Sequence, residues 1–308
     1  MNKLSIWQLI KLSRPRFWIY ELWPYIIWVS SWLYIYMMKY GNIVLSASQI
    51  VSIIIMWLYF LIPANLYIYG INDIYDYETD KNNPKKQWYE ILLTPDKHLY
   101  SWLCIVLASL PFLIFQLFLA KTVWIVFLLF LFFALFYSAN PIRAKARPFL
   151  DMIFSSCLYV MPAIYWFVII NGGVDRINRI YILGGFCRCM AMQTYSAAPD
   201  ITADQEAEIQ TTATKLWYNN TLYLCILFYG LAGWLGFGQW NSLTSWTNWL
   251  WWIWVWVICI YIYFMIKSII KPKDIFEYYK TFSILNLFVW FGIFLAICYH
   301  YYNFMITL

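Results

Sequence analysis

NDIYDYETD, residues 72–80, follows directly on a long apolar run and leads into Lys81-Asn82-Asn83-Pro84-Lys85-Lys86. On a helix Asn72, Asp76 and Asp80 fall at i, i+4 and i+8 with Asp73 beside them, so several carboxylates share nearly one face. Like charges at that spacing repel unless hard cations sit among them, and an oxygen-only donor set points to magnesium or calcium rather than zinc or copper. Mg2+ usually completes its shell with water and substrate phosphate, so an acidic face next to basic residues suggests a diphosphate bridged to protein through metal. The plain alternative is a solvated acidic loop. Against it, the stretch sits at a membrane boundary and has a distant twin.

The membrane follows from composition. The 308 residues are 63% hydrophobic and only 12% charged, with a mean hydropathy of +0.61. That lies far outside soluble usage and predicts an all-α, polytopic transmembrane helical bundle forming a single domain over residues 1–308. A span needs roughly 20 apolar residues, and spans fall at about 17–38, 49–71, 99–118, 122–138, 149–170, 179–198, 216–237, 249–270 and 281–303, nine helices in all. Residues 4–16 read as a short amphipathic helix lying on the membrane and ended near Pro15. With no signal-peptide core or cleavage site, no cleaved targeting segment is expected. The seven cysteines are scattered through apolar runs without a CxxC, and there are two histidines, so disulfide and zinc readings are poor. The net charge of +6 sits in loops between spans, which is not a nucleic-acid signature.

The placement of Lys and Arg orients the bundle. Segments 1–16, 72–98, 139–148, 199–215 and 267–280 carry 16 of the 21, segments 39–48, 119–121, 171–179 and 238–248 carry 4, and Arg188 lies inside a span. By the positive-inside rule the first set is cytoplasmic, with the N-terminus in, the C-terminus out, and the chain in the cell (inner) membrane. Every candidate chemical residue then falls on one face, where the loops after helices two and six form a small cap.

The twin is Asp200-Ile201-Thr202-Ala203-Asp204, followed by Gln205-Glu206-Ala207-Glu208. Asp200 and Asp204 again form an i, i+4 pair, after a span running in the same direction, and the duplication suggests two ancestral halves. Eight of the 15 acidic residues lie in these two stretches, a concentration that mere solvation does not explain in so charge-poor a chain. Between them, after helix four, lies Tyr137-Ser138-Ala139-Asn140-Pro141-Ile142-Arg143-Ala144-Lys145-Ala146-Arg147-Pro148. Its three cations could be topology determinants alone. Combined with two acidic pairs, they favour a metal-plus-cation clamp in which Arg and Lys donate to phosphate oxygens.

The chemistry implied is loss of diphosphate from an allylic lipid. Metal ions with Arg and Lys stabilise charge building on the leaving group, while aromatic faces steady the allylic cation and a lipid-facing cavity excludes water. Tyr75, Tyr77, Tyr137 and Tyr195 flank the motifs.

NDIYDYETD with NNPKK, the YSANPIRAK loop and DITAD resemble the paired NDxxDxxxD and DxxxD motifs of the UbiA-type intramembrane prenyltransferases. The resemblance implies Mg2+-dependent transfer of a prenyl group from a prenyl diphosphate donor to a lipophilic acceptor. It makes Asn72, Asp73, Asp76, Asp80, Asp200 and Asp204 metal ligands, and Arg14, Lys85, Lys86, Arg143 and Lys145 candidate diphosphate contacts. It makes Asp76, Asp80, Asp200, Asp204, Tyr137 and Lys145 the candidate catalytic set. SRPRFWIY (13–20), PANLYIYG (63–70), YSAAPDITAD (195–204) and Thr211-Thr212-Ala213-Thr214 look most like the lycopene elongase branch, which prenylates carotenoid ends. Quinone, ether-lipid, haem and chlorophyll branches share the same ligands.

Departures stand at Trp23 and Trp28, where small residues are expected and bulk would shrink a lipid cavity, and at Glu208, which replaces an expected glycine turn. Arg188, mid-span, is expensive unless it faces the protein interior or a wet cavity, and a structural pairing, a snorkelling arrangement, or an acceptor or diphosphate contact would explain it. Two rival functions remain. A transporter would move its cargo unchanged, and a catalytically dead lipid-binding scaffold would bind diphosphate without forming product.

Overall fold

The computed structural model describes residues 3–41, 45–81, 90–175, 177–243 and 248–307. A capping box opens the first helix, α1 (Ile6–Leu12): the Gln8 amide donates to the Ser5 hydroxyl, and the Gln8 side chain accepts from the Ser5 amide. The surface helix is shorter than expected. It stops at Ser13, Arg14 takes a left-handed φ of 50°, and Pro15 begins α2 (Pro15–Tyr40) rather than ending α1, because proline suits a first helical turn. Gly41, at φ 78°, closes α2.

The second expected span is two helices. α3 (Ala47–Leu61) and α4 (Pro63–Tyr75) meet at Ile62, because Pro63 has no N–H to continue the ladder. The Asn65 amide donates to the Phe60 and Leu61 carbonyls, each at 3.1 Å, satisfying acceptors that the break would orphan. A short α5 (Tyr77–Asp80) carries the end of the first motif.

Next come α6 (His98–Gln116) and α7 (Lys121–Ser138), whose separation falls at the turn read at Ala120-Lys121-Thr122. They are followed by α8 (Leu150–Asn171), α9 (Arg179–Ala197) and α10 (Ile201–Glu206). The chain ends in α11 (Thr212–Leu243), α12 (Asn248–Ile270) and α13 (Ile275–Thr307). α11 starts before the expected residue 216 and is kinked at Trp217, whose φ is 63°. No strand occurs among the described residues. Five segments there are long and apolar enough to cross a membrane: Ala47–Tyr75, Pro95–Gln116, Lys121–Ser138, Leu150–Asn171 and Pro272–Ala296.

The chain divides into two compact units, Met1–Arg143 with Met161–Arg176, and Ala144–Val160 with Ile177–Leu308. The core of the first is aromatic. Tyr25 meets Trp166 edge-on at 4.7 Å, Phe60 meets Phe130 at 5.3 Å, and Tyr165 meets Trp166 at 5.4 Å, the arrangements that ring quadrupoles favour. Gly70 lets α4 approach α6 just before the first motif, since a Cβ there would lie 2.9 Å from Ile105 Cδ1.

In the second unit Tyr195, Leu222, Tyr229, Tyr261, Met265 and Phe282 join α9, α11, α12 and α13. Arg188 is buried among them. Its Nη2 donates to Asn286 Oδ1 at 2.9 Å and to the Tyr261 hydroxyl at 3.2 Å, and its guanidinium lies 3.9 Å over the Trp290 ring. Cation–π and neutral acceptors thus take the place of a carboxylate, which favours the structural reading of this residue.

Candidate active site

In the first unit the acidic motif bends at Asp76. This residue caps α4 with φ −102° and ψ 6°, the sparsely populated bridge region in which many active-site residues sit. Its amide donates to the Asn72 carbonyl at 3.0 Å, and the Asp80 amide donates to the Asp76 carbonyl at 2.8 Å. The i to i−4 ladder therefore runs through the bend, and the expected spacing is realised on two helical pieces rather than one.

The second unit repeats this local geometry. A 3-10 turn, Ala198–Asp200, leads into α10, and Asp200 has φ −97° and ψ 1°. Asp204 lies in the first turn of α10, as Asp80 lies in that of α5. Two Asp residues 124 positions apart, as 200 and 76 count them, thus share one backbone conformation at the head of a short acidic helix.

Cations meet the first motif. Arg14 Nη2 donates to Asp73 Oδ1 at 2.7 Å and lies 3.1 Å from Glu90 Oε2, with its guanidinium 4.9 Å over the Tyr69 ring. Burial works against the Arg14 charge, but Asp73 and then Glu90 outweigh it and hold its pKa above the ordinary value. Asp73, expected as a metal ligand, is 2% exposed and engaged by this guanidinium. Arg143, at φ 43°, sets Nη2 3.6 Å from Asp76 Oδ1. The Nε atoms of Arg14 and Arg143 are both buried, with no hydrogen-bond partner among the described residues. Asn72 donates through Nδ2 to Ser138 Oγ at 3.2 Å, tying the motif to the end of α7, where Tyr137 is half-buried.

In the second unit Lys145 is half-buried in the 3-10 turn Ala144–Ala146. Asp200 is exposed and Asp204 half-buried. Burial, followed by the charges of Asp200 and Asp151, pushes the Asp204 carboxyl up to about 6. A carboxylate held among others in this way is one that a cation would relieve.

Sequence reasoning missed two residues. Glu90, the second acceptor of Arg14, gave no signal beyond its place in a polar loop. Asp151 did give one: it is an acid two positions into an apolar run, where ionisable side chains are costly. It is 4% exposed and accepts from Thr212 twice, at Oδ2 from the amide (2.8 Å) and at Oδ1 from the hydroxyl. Lys85 and Lys86 lie outside the described residues, as do the side chains of Trp23 and Trp28 on α2.

Among the described residues, no three His, Cys, Asp or Glu side chains form a group that could hold a metal ion. Carboxylates suit Mg2+, which takes one or two of them and completes its shell with water and phosphate, and the Arg donors suit the phosphate. The departure at Glu208 is structural fact: this residue adopts φ 56°, the conformation a glycine would hold without strain. Among the described residues, three of the five left-handed non-glycine residues, Arg14, Arg143 and Glu208, bond to or border the two motifs, where strain of this kind concentrates in functional proteins.

Comparison with known proteins adds to this geometry. A family model described as the UbiA prenyltransferase family matches residues 26–292. Lycopene elongase/hydratase of Haloarcula japonica is 36% identical over 234 residues, 75% of this chain and 75% of that protein. Lycopene elongase/hydratase of Halobacterium salinarum is 35% identical over 217 residues, 70% and 74% of the two chains. Among solved structures, an apo UbiA homologue from Aeropyrum pernix K1 superposes with a TM-score of 0.69 at 15% identity, covering 92% of this chain and 98% of that one. A UbiA homologue from Archaeoglobus fulgidus, bound to GPP and Mg2+, superposes with a TM-score of 0.64 at 17% identity, covering 93% and 99%.

Proposed function

The chain belongs to the UbiA prenyltransferase family, and from that premise we propose how its own residues carry out prenyl transfer. In the first unit Asn72, Asp76 and Asp80 would hold Mg2+ for a prenyl diphosphate donor, and in the second unit Asp200 and Asp204 would hold Mg2+. Asp73 instead orients Arg14. The family model runs across both units, which supports their acting as one prenyltransferase domain.

The carrying observation is at Arg143, whose Nη2 is 3.6 Å from Asp76 while its Nε is buried, with no hydrogen-bond partner among the described residues. A buried N–H without an acceptor costs roughly 1–3 kcal/mol. A phosphate oxygen delivered to the acidic motif would satisfy it. Arg14, whose Nε likewise lacks a hydrogen-bond partner among the described residues, meets the same motif at Asp73. Lys145, in the second unit, supplies a further cation for diphosphate.

When bound, Mg2+ supplies Lewis-acid charge to the departing diphosphate. Arg143, Arg14 and Lys145 take up the remaining negative charge by charge-assisted hydrogen bonds as the allylic C–O bond breaks. Tyr137, at the head of the basic loop, offers an aromatic face to the resulting cation. The acceptor is a lipophilic molecule drawn from membrane lipid, and the relatives named lycopene elongase/hydratase favour a carotenoid end group joined through a new carbon–carbon bond, after which the acceptor cation loses a proton or captures water. The excess of Lys and Arg in the loops that hold the motifs supports a cytoplasmic orientation of the site, with the N-terminus inside.

The test is turnover by the purified full-length chain with Mg2+, a panel of prenyl diphosphates and extracted lipids, with products identified by mass. Asp76→Ala and Asp200→Ala should each abolish product while the protein still inserts into membrane. Retained turnover in either variant would remove the metal roles.

A further inference from the structure

Two segments of the second unit leave its candidate site towards the bundle, and they meet at one point. The first runs from the turn holding Lys145: the Arg147 amide donates to the Ala144 carbonyl at 3.0 Å, and the Asp151 amide donates to the Arg147 carbonyl at 3.1 Å. The second runs from the acidic helix: the Ile209 amide donates to the Asp204 carbonyl at 2.8 Å, and the Thr211 amide donates to Thr214 Oγ1 at 2.8 Å. They join at Thr212. Its amide and hydroxyl both donate to the Asp151 carboxylate, and its hydroxyl oxygen accepts from the Phe149 amide at 2.7 Å.

We propose that Asp151 and Thr212 form a positioning clasp that sets the basic turn carrying Lys145 against the acidic helix carrying Asp200 and Asp204. Neither residue touches the substrate. Each acts through the segments it joins.

Three observations carry this. Thr212 uses both of its polar groups on one neighbour, and that neighbour, Asp151, is buried and uses both of its oxygens on Thr212. A charge-assisted pair of this kind is short and directional, so it fixes register as well as proximity. The segments on either side are bent by left-handed residues, Phe149 at φ 69° and Glu208 at φ 56°, and such conformations persist only where surrounding contacts over-determine them. Finally, Lys215 lies 5.8 Å over the Phe149 ring, a second contact across the same join. Asp151 also lies near enough to Asp204 for its charge to count there, so the clasp and the acidic helix are one electrostatic neighbourhood.

The inference rests on the reading of Asp200 and Asp204 as metal residues, and the experiment separates the two. Purified full-length protein in detergent is titrated with inorganic pyrophosphate at saturating Mg2+, and its melting temperature is recorded separately. Thr212→Val, which removes only the hydroxyl, and Asp151→Asn should each weaken pyrophosphate binding about tenfold, the effect typical of groups that orient metal ligands. Thr212→Ser, which keeps the hydroxyl, should restore binding to within about twofold of the parent. If Thr212→Val and Asp151→Asn lower the melting temperature but leave pyrophosphate affinity unchanged, or if neither folds, the clasp serves stability alone and the proposal falls. If Asp200→Asn leaves the titration unchanged, it is the metal reading that falls instead.

Discussion

Arg14 and Asp73 form a buried ion pair, Nη2 to Oδ1 at 2.7 Å, across 59 residues of sequence. It anchors the turn between α1 and α2 to the acidic motif. Arg14→Ala would take the guanidinium away from a carboxylate that is 2% exposed. Because the arginine side chain itself keeps 16% of its exposure, the loss should fall toward the lower end of the roughly 3–5 kcal/mol seen when a buried pair loses one partner. Arg14→Lys keeps the charge but not the planar guanidinium, whose Nη2 meets both Asp73 and Glu90, so it should recover part of the stability. Thermal unfolding of the two variants in detergent checks this, and equal stability of parent and Arg14→Ala would refute it.

Asp204 makes the metal-free protein sensitive to pH. With its carboxyl raised to about 6 by burial and by Asp200 and Asp151, the folded chain holds this proton more tightly than the unfolded chain does. Stability of the metal-free form therefore falls as pH rises from the ordinary carboxylate range through about 6. Mg2+ must displace that proton, so the gain in melting temperature on adding Mg2+ should be larger at pH 7.5 than at pH 5. A gain independent of pH would count against it.

Glu208 carries a left-handed backbone at the exit of α10. Glycine removes a steric cost of about 1–2 kcal/mol there but restores freedom to the unfolded chain worth about 0.4–1 kcal/mol. Glu208→Gly should thus raise stability modestly, and Glu208→Val, stiff and branched, should lower it. The order of the three melting temperatures is the measurement.

Among the described residues, the buried Arg188 cation meets Tyr261, Asn286 and Trp290, none of them acidic. Arg188→Met fills similar volume without a charge to desolvate and should leave stability unchanged or higher. The Tyr261 hydroxyl still donates to Asn286. Arg188→Ala opens a cavity and should cost about 2–5 kcal/mol. Loss of turnover in a stable Arg188→Met protein would show that this residue touches substrate after all.

What was legible in the chain follows from how local each signal is. The break at Ile62, by contrast, could have been taken from Pro63 but was absorbed into one long apolar run, since hydropathy averages over a window and a single missing N–H does not change it. The same averaging hid Asp151 at the start of a span. Arg14 was visible as a cation near a motif, but its engagement with Asp73 and Glu90 was not, because an ion pair depends on where the backbone turns at φ 50°.

Composition and spacing by themselves determined that this is a helical membrane protein with two acidic pairs and a basic loop, and the motifs were specific enough to give the family. Each of those facts is written in residues close together in the chain, where a few helical turns fix which side chains share a face. Only the tertiary structure decided which distant group engages a given carboxylate, Arg14 at Asp73 and Thr212 at Asp151. Partners 59 and 61 residues apart meet through strained turns and buried packing, and no local pattern encodes which distant side chain a fold will bring to a given charge.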